Sequence, residues 1–193
     1  EPGLHFDGSR SELALDGVDE QPDGRTVLWV ARAPYLPLPW DWDETYAPVG
    51  TVLGGVDGSG YPNSSVGLSK GALVLVNREP GSGPSGEPLW ARVEGGAGPQ
   101  EGVGSPRLLG VSHAADGSVV GWIDGDAVAL AGSASYASPR SWSRIGGSLE
   151  GDYYGPNSRF AGTLGALLIV PRVLEASELQ RVHTWAQGRF GVP

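Results

Sequence analysis

A chain of 193 residues and 20.0 kDa is the size of one domain built around one large core, and is too short for two. Lys+Arg 13 against Asp+Glu 22 leaves a net charge of -9, which argues against a broad phosphate-binding face and so against nucleic acid. Cys 0 removes disulfides, thiolate metal sites and cysteine nucleophiles together, and no apolar run of about 18 residues offers a membrane-inserted helix.

Trp 7, Tyr 6 and Phe 3 supply a core despite Gly 32 and Pro 16, so a loop-rich, all-β protein is expected. Lys70 is the single lysine among the basic residues, a bias that reads as coding composition more than function. The chain opens at Glu1 with no charged-then-apolar leader, the pattern expected of a processed or excised piece.

In chain order, Leu4–Phe6 and Glu12–Leu15 read as short strands flanking a turn at Asp7-Gly8. Arg25–Ala33 is a stronger strand. Between Pro34 and Pro48 lies an aromatic, acidic, proline-rich stretch that cannot donate a full ladder of hydrogen bonds and reads as a structured loop. Thr51–Val56, Ser65–Ser69, Ala72–Asn77 and Leu89–Val93 resume the strand pattern, the middle pair joined across Lys70-Gly71. Polar loops are expected at Glu79–Glu87 and Gly95–Gly104, and no Gly-Lys-Ser/Thr follows in either.

Arg107–His113, Ser118–Ile123 and Ala127–Ala131 describe three consecutive antiparallel strands, with turns at Asp116-Gly117 and Asp124-Gly125. Asp-Gly suits such turns because they need positive φ. Ser141–Ile145 and Gly162–Val170 complete about a dozen strands. Only then does the period change. Ser177 and Gln180 make a capping box, Leu179, Val182, His183 and Ala186 recur at helical spacing, and Gly188 is expected to stop the helix.

Several of these segments resemble laminin G-like members of the concanavalin A-like lectin/glucanase superfamily, especially bacterial and viral ones. The resemblance is carried by Phe6-Asp7-Gly8, by Leu109–His113 with Asp116-Gly117, and by Gly121-Trp122-Ile123-Asp124-Gly125. Ser143–Gly147, Phe160-Ala161-Gly162 with the apolar run to Ile169, and the closing Val173-Leu174 with Ser177-Glu178-Leu179 add to it. It covers most of the chain and implies one domain over residues 1–193: a two-sheet antiparallel β-sandwich, the concanavalin A-like jelly roll, with one short C-terminal helix.

Such a fold hosts lectins, hydrolases, lyases, adhesion modules and structural domains, so function has to come from residues. The paired carboxylates of the glucanase branch, Glu-x-Asp-x-x-Glu, are absent. Asp41, Asp43 and Glu44 are the nearest acidic group, and Glu150 with Asp152 sits among glycines. His5, His113 and His183 fall in three separate predicted elements, so no serine–histidine pair is suggested. No catalytic motif is recognised.

Sugar binding needs an aromatic plate with carboxylates or amides beside it, and Trp40, Asp41, Trp42, Asp43 and Tyr46 meet that demand. The competing reading is that both tryptophans cap the sandwich edge or fill a subunit contact. Tyr153 and Tyr154 form a second candidate, either a ligand rim or ordinary loop packing. Calcium sites in the resembling family use loop carboxylates, amides and carbonyls, which makes Asp152 and Asn157 the best pair for a Ca2+ ion, with Asp57 as the alternative. Asn63-Ser64-Ser65 is formally a glycosylation sequon.

These readings converge on a non-enzymatic recognition or adhesion module that binds a glycan or protein surface through its loops and a sheet face. The expected setting is extracellular, on a cell surface or virion. A structural or decorating subunit within a homo-oligomer or larger assembly is the alternative, and a divergent glycan hydrolase or lyase a weaker one.

Overall fold

The computed structural model describes residues 3–7, 13–18, 24–33, 51–56, 62–69, 72–77, 89–93, 103–131, 142–147 and 160–193. Twelve strands and one helix are found among them. The strands form two six-stranded antiparallel sheets, as the alternating pattern leads one to expect, and together they make the jelly-roll sandwich that the family resemblance implies.

The first sheet carries β1 (Leu4–Asp7), β3 (Arg25–Ala33), β8 (Val103–His113), β9 (Val119–Ile123), β10 (Asp126–Val128) and β12 (Ala161–Val170). Its order is β1-β12-β3-β8-β9-β10. The second carries β2 (Leu13–Val18), β4 (Thr51–Val56), β5 (Pro62–Ser69), β6 (Ala72–Asn77), β7 (Leu89–Arg92) and β11 (Trp142–Ile145), in the order β2-β11-β4-β5-β6-β7. The strands β1 and β2 therefore do not pair with each other: β1 lies along β12 and β2 along β11. The segment expected as a polar loop to Gly104 gives up its end to β8, which starts at Val103.

Residues of β3 alternate between two apolar environments. Val27, Trp29 and Ala31 point into the core between the sheets, with Val66, Leu73 and Leu109. Leu28 and Val30 point outward and are buried by the C-terminal helix, α1 (Ala176–Phe190). Both faces being covered is why the strand reads as a continuous apolar run. Trp29 is fully buried at the centre, and its indole N–H finds no hydrogen-bond partner among the described residues. Phe6 and Phe160 meet edge to face with ring centroids 5.8 Å apart, closing the core where β1 joins β12.

β12 changes register between Leu164 and Ala166, a bulge that puts Leu164 and Leu167 on the core side although they are three positions apart. Gly165 sits in that bulge. A Cβ there would lie 2.9 Å from the Phe190 ring, so the missing side chain is the seat of the helix end.

The helix is longer than its sequence signals suggest. Its N-cap is Glu175, and Glu178, three residues on, accepts a hydrogen bond from the Glu175 N–H at 3.1 Å. The Ser177–Gln180 pair lies inside the first turns. Gly188 does not stop the helix, because Phe190 beyond it packs on the sheet; Gly191, left-handed at φ 69°, is the cap. The β9–β10 turn follows expectation, with Asp124 at φ 49° and Gly125 at φ 86°.

Candidate functional site

The aromatic and acidic candidates Trp40, Asp41, Trp42, Asp43 and Tyr46, with Asp152, Tyr153, Tyr154 and Asn157, lie outside the described residues, as does Asp57. The strand ends from which their two segments depart are described, and they are neighbours. Segment 34–50 leaves β3 at Ala33, and segment 148–159 enters β12 through Phe160. Because β3 and β12 are antiparallel, with Arg32 opposite Thr163, these two ends share one edge of the sandwich.

The other sheet repeats the arrangement. Segment 34–50 enters β4 at Thr51, and β4 pairs antiparallel with β11 through Leu53 and Ile145. Beyond Ile145, Gly146 donates its N–H to Val52 O at 2.9 Å, and Phe160 donates to Gly146 O at 2.9 Å. Both candidate segments thus span from one sheet to the other at the same end of the molecule. Two stretches more than a hundred residues apart in sequence are rooted side by side, something the chain order conceals.

The described histidines stay apart in role. His5 is exposed on β1, His113 is buried at the end of β8, and His183 is on α1 with its Nε2 2.7 Å from Pro193 O. Among the described residues no group of three or more His, Asp or Glu side chains is placed to hold a metal ion. None of the helices described is long and apolar enough to cross a membrane. The Asn63 sequon falls within β5.

A second concave feature lies on the opposite side of the first sheet from the core. Leu28 on β3, Leu108 on β8 and Ala166, Leu168 and Val170 on β12 floor a trough of about 510 Å³, walled by α1. A buried polar chain sets the height of that wall. Thr26 and Ser112, directly opposite on β3 and β8, have their hydroxyls 3.0 Å apart. Trp122 donates its indole N–H to the Ser112 hydroxyl, and Thr26 Oγ1 accepts the Leu174 N–H at 2.9 Å, fixing the backbone that leads into α1.

At the rim, Arg172 grips Glu178 through two hydrogen bonds of 2.6 and 2.7 Å, a bidentate pair. Those bonds, reinforced by the Glu175 N–H, hold the Glu178 carboxyl at about 2, well below the usual carboxylate range. Arg181 stands 3.8 Å from the same carboxylate. Trp185, one helical turn beyond Arg181, meets Phe190 edge to face at 5.4 Å between centroids. Sequence reasoning passed over Leu168, Arg181 and Trp185. The available signal was an aromatic residue falling off the apolar stripe of α1.

No family model matches the chain, and no curated protein matches it. Solved structures do, at low identity. Domain 4 of AbnA, a GH43 extracellular arabinanase from Geobacillus stearothermophilus solved with arabinotriose, is 15% identical at TM-score 0.56, over 94% of this chain and 76% of that one. The heptameric SAP-like pentraxin from Limulus polyphemus is 13% identical at TM-score 0.54, over 94% and 79%. The binding domain of botulinum neurotoxin serotype G is 9% identical at TM-score 0.56; it is matched over 99% of this chain, which spans 50% of its length. At these identities the likeness is one of fold alone, a jelly-roll β-sandwich.

Proposed function

We propose that this protein is a recognition module that binds a glycan, or a glycan-bearing or protein surface, through the loops at one end of its sandwich. The observation that carries the reading is the common origin of segments 34–50 and 148–159 at adjacent strand ends in both sheets. Those segments hold Trp40, Trp42, Tyr46, Tyr153 and Tyr154 together with Asp41, Asp43 and Asp152. Aromatic faces take the apolar side of a pyranose while carboxylates accept from its hydroxyls. The similar structures include a sugar-bound domain and toxin binding domains, one of them in complex with synaptotagmin, which favours binding over catalysis. The setting proposed is extracellular, with a Ca2+ ion at Asp152 and Asn157.

The test is a glycan array followed by titration, on the wild type and on the Trp40→Ala, Trp42→Ala double variant. Saturable binding by the wild type that the double variant loses supports the reading. Absence of binding by both removes its glycan form. A second reading, a subunit of a symmetric assembly, draws on the heptameric pentraxin among the similar structures. Light scattering separates the two, since a strictly monomeric chain is incompatible with the assembly role.

A further inference from the structure

The trough between α1 and β12 combines two chemistries that are segregated along its length. Its floor is aliphatic throughout, whereas its charges, Arg172, Glu178 and Arg181, are gathered on the rim. Apolar surface is left in water: Leu168 is 40% exposed and Trp185 52% exposed, although Leu28, Leu108 and Leu174 around them are buried. Contiguous wet apolar surface beside a buried cluster is the usual mark of a binding surface. The volume of about 510 Å³ falls inside the range of roughly 300–1,000 Å³ typical of small-molecule sites.

The charges say what kind of molecule fits. Glu178 is already taken by the Arg172 fork and is held ionised. Arg181, with a side chain 74% exposed, has only the 3.8 Å approach to Glu178 and donates no hydrogen bond among the described residues. A planar fork of N–H donors in that state suits an incoming carboxylate. Arg172 has Glu178 and Glu175 beside it, so the guanidinium left for an incoming anion at this rim is that of Arg181. On a chain whose net charge is -9, Arg181 is the group here that can receive an anion.

We infer that the trough binds an anionic amphiphile, an acyl chain ending in a carboxylate: the chain lies on Leu168 and Val170 beneath Trp185, and the head group meets Arg181. A quaternary ammonium amphiphile of equal length matches the floor but not the rim. This site is separate from the loop end that carries the proposed glycan function, so either can fail alone.

The probes are sodium decanoate and decyltrimethylammonium bromide, both titrated calorimetrically below their critical micelle concentrations. Decanoate is expected to bind saturably at one site and about tenfold more tightly than the ammonium, the value of one charge-assisted hydrogen bond. Arg181→Gln is expected to erase that preference by weakening decanoate alone. Leu168→Asn is expected to weaken both amphiphiles, and the Trp40→Ala, Trp42→Ala variant to change neither. Arg181 and Leu168 are exposed, so folding is checked by circular dichroism and Arg181→Gln carries the decision if Leu168→Asn unfolds. No saturable decanoate binding, equal affinity for the two head groups, or indifference to Arg181→Gln overturns the inference.

Discussion

Trp122 on β9 donates its indole N–H to the hydroxyl of Ser112 on the neighbouring strand β8, at 2.8 Å. The two are diagonal neighbours, since Trp122 lies opposite Gly110 and Ser112 opposite Val120. A Cβ at Gly110 would sit 2.4 Å from the Leu28 side chain, so glycine there leaves the outer face open between Leu28 and Trp122. The indole both covers that face and completes the polar chain through Thr26 to Leu174 N.

Breaking this chain should loosen the helix more than the sandwich. Thr26→Val keeps the shape but leaves the buried Leu174 N–H without an acceptor, at a cost of about 1–3 kcal/mol. For a chain of this size each kcal/mol lowers Tm by roughly 2–4 °C. Thermal unfolding of Thr26→Val checks the magnitude, and hydrogen exchange should show α1 amides losing protection before those of β3.

Acid should act through Glu178. Its carboxyl is held at about 2, below the ordinary 4.5 of the unfolded chain, by Arg172 first and the Glu175 N–H second. A depressed folded-state pKa adds stability that is fully present above 4.5 and fades as the pH falls toward 2. Urea unfolding of the wild type and Glu178→Gln from neutral to acid pH should show a gap that closes across that window. A gap independent of pH would show that the Arg172 pair contributes nothing through charge.

Gly125 joins the β9–β10 turn to α1. Its φ of 86° suits glycine, and a Cβ would lie 2.8–3.0 Å from His183 Nδ1, Cγ and Cβ. Gly125→Ala should therefore lose about 1–2 kcal/mol to the left-handed backbone alone, with more from the His183 contact. In a His183→Ala background the contact part disappears while the backbone part stays, so in a double-mutant cycle by urea unfolding the double variant should lose less than the sum of the two single losses. Simple additivity would mean the turn and helix move apart at no cost.

Calcium offers a direct check of the loop end. If Asp152 and Asn157 hold the ion, added Ca2+ should raise Tm relative to chelator, and Asp152→Asn with Asn157→Ala should abolish the rise. Scanning calorimetry of both proteins with and without EDTA reads this. An unchanged wild-type Tm removes the proposed metal pair.

The sequence by itself settled what is local. Short β-branched and apolar runs bounded by turn residues placed Arg25–Ala33, Ala72–Asn77 and Thr51–Val56 to the residue, and Asp124-Gly125 specified its tight turn, because strand preference and positive φ are properties of a few adjacent residues. Helix ends were less legible: Gly188 offers the same local stop signal as Gly191, and only the packing of Phe190 on Gly165 carries the helix past it. Tertiary structure alone decided that β1 and β2 belong to different sheets, that the segments bearing Trp40 and Tyr153 spring from one end, and that Leu168, Arg181 and Trp185 frame one trough. Those relationships join residues far apart in the chain, and they come from burying two apolar faces of one sheet at once, a condition no short window of sequence contains.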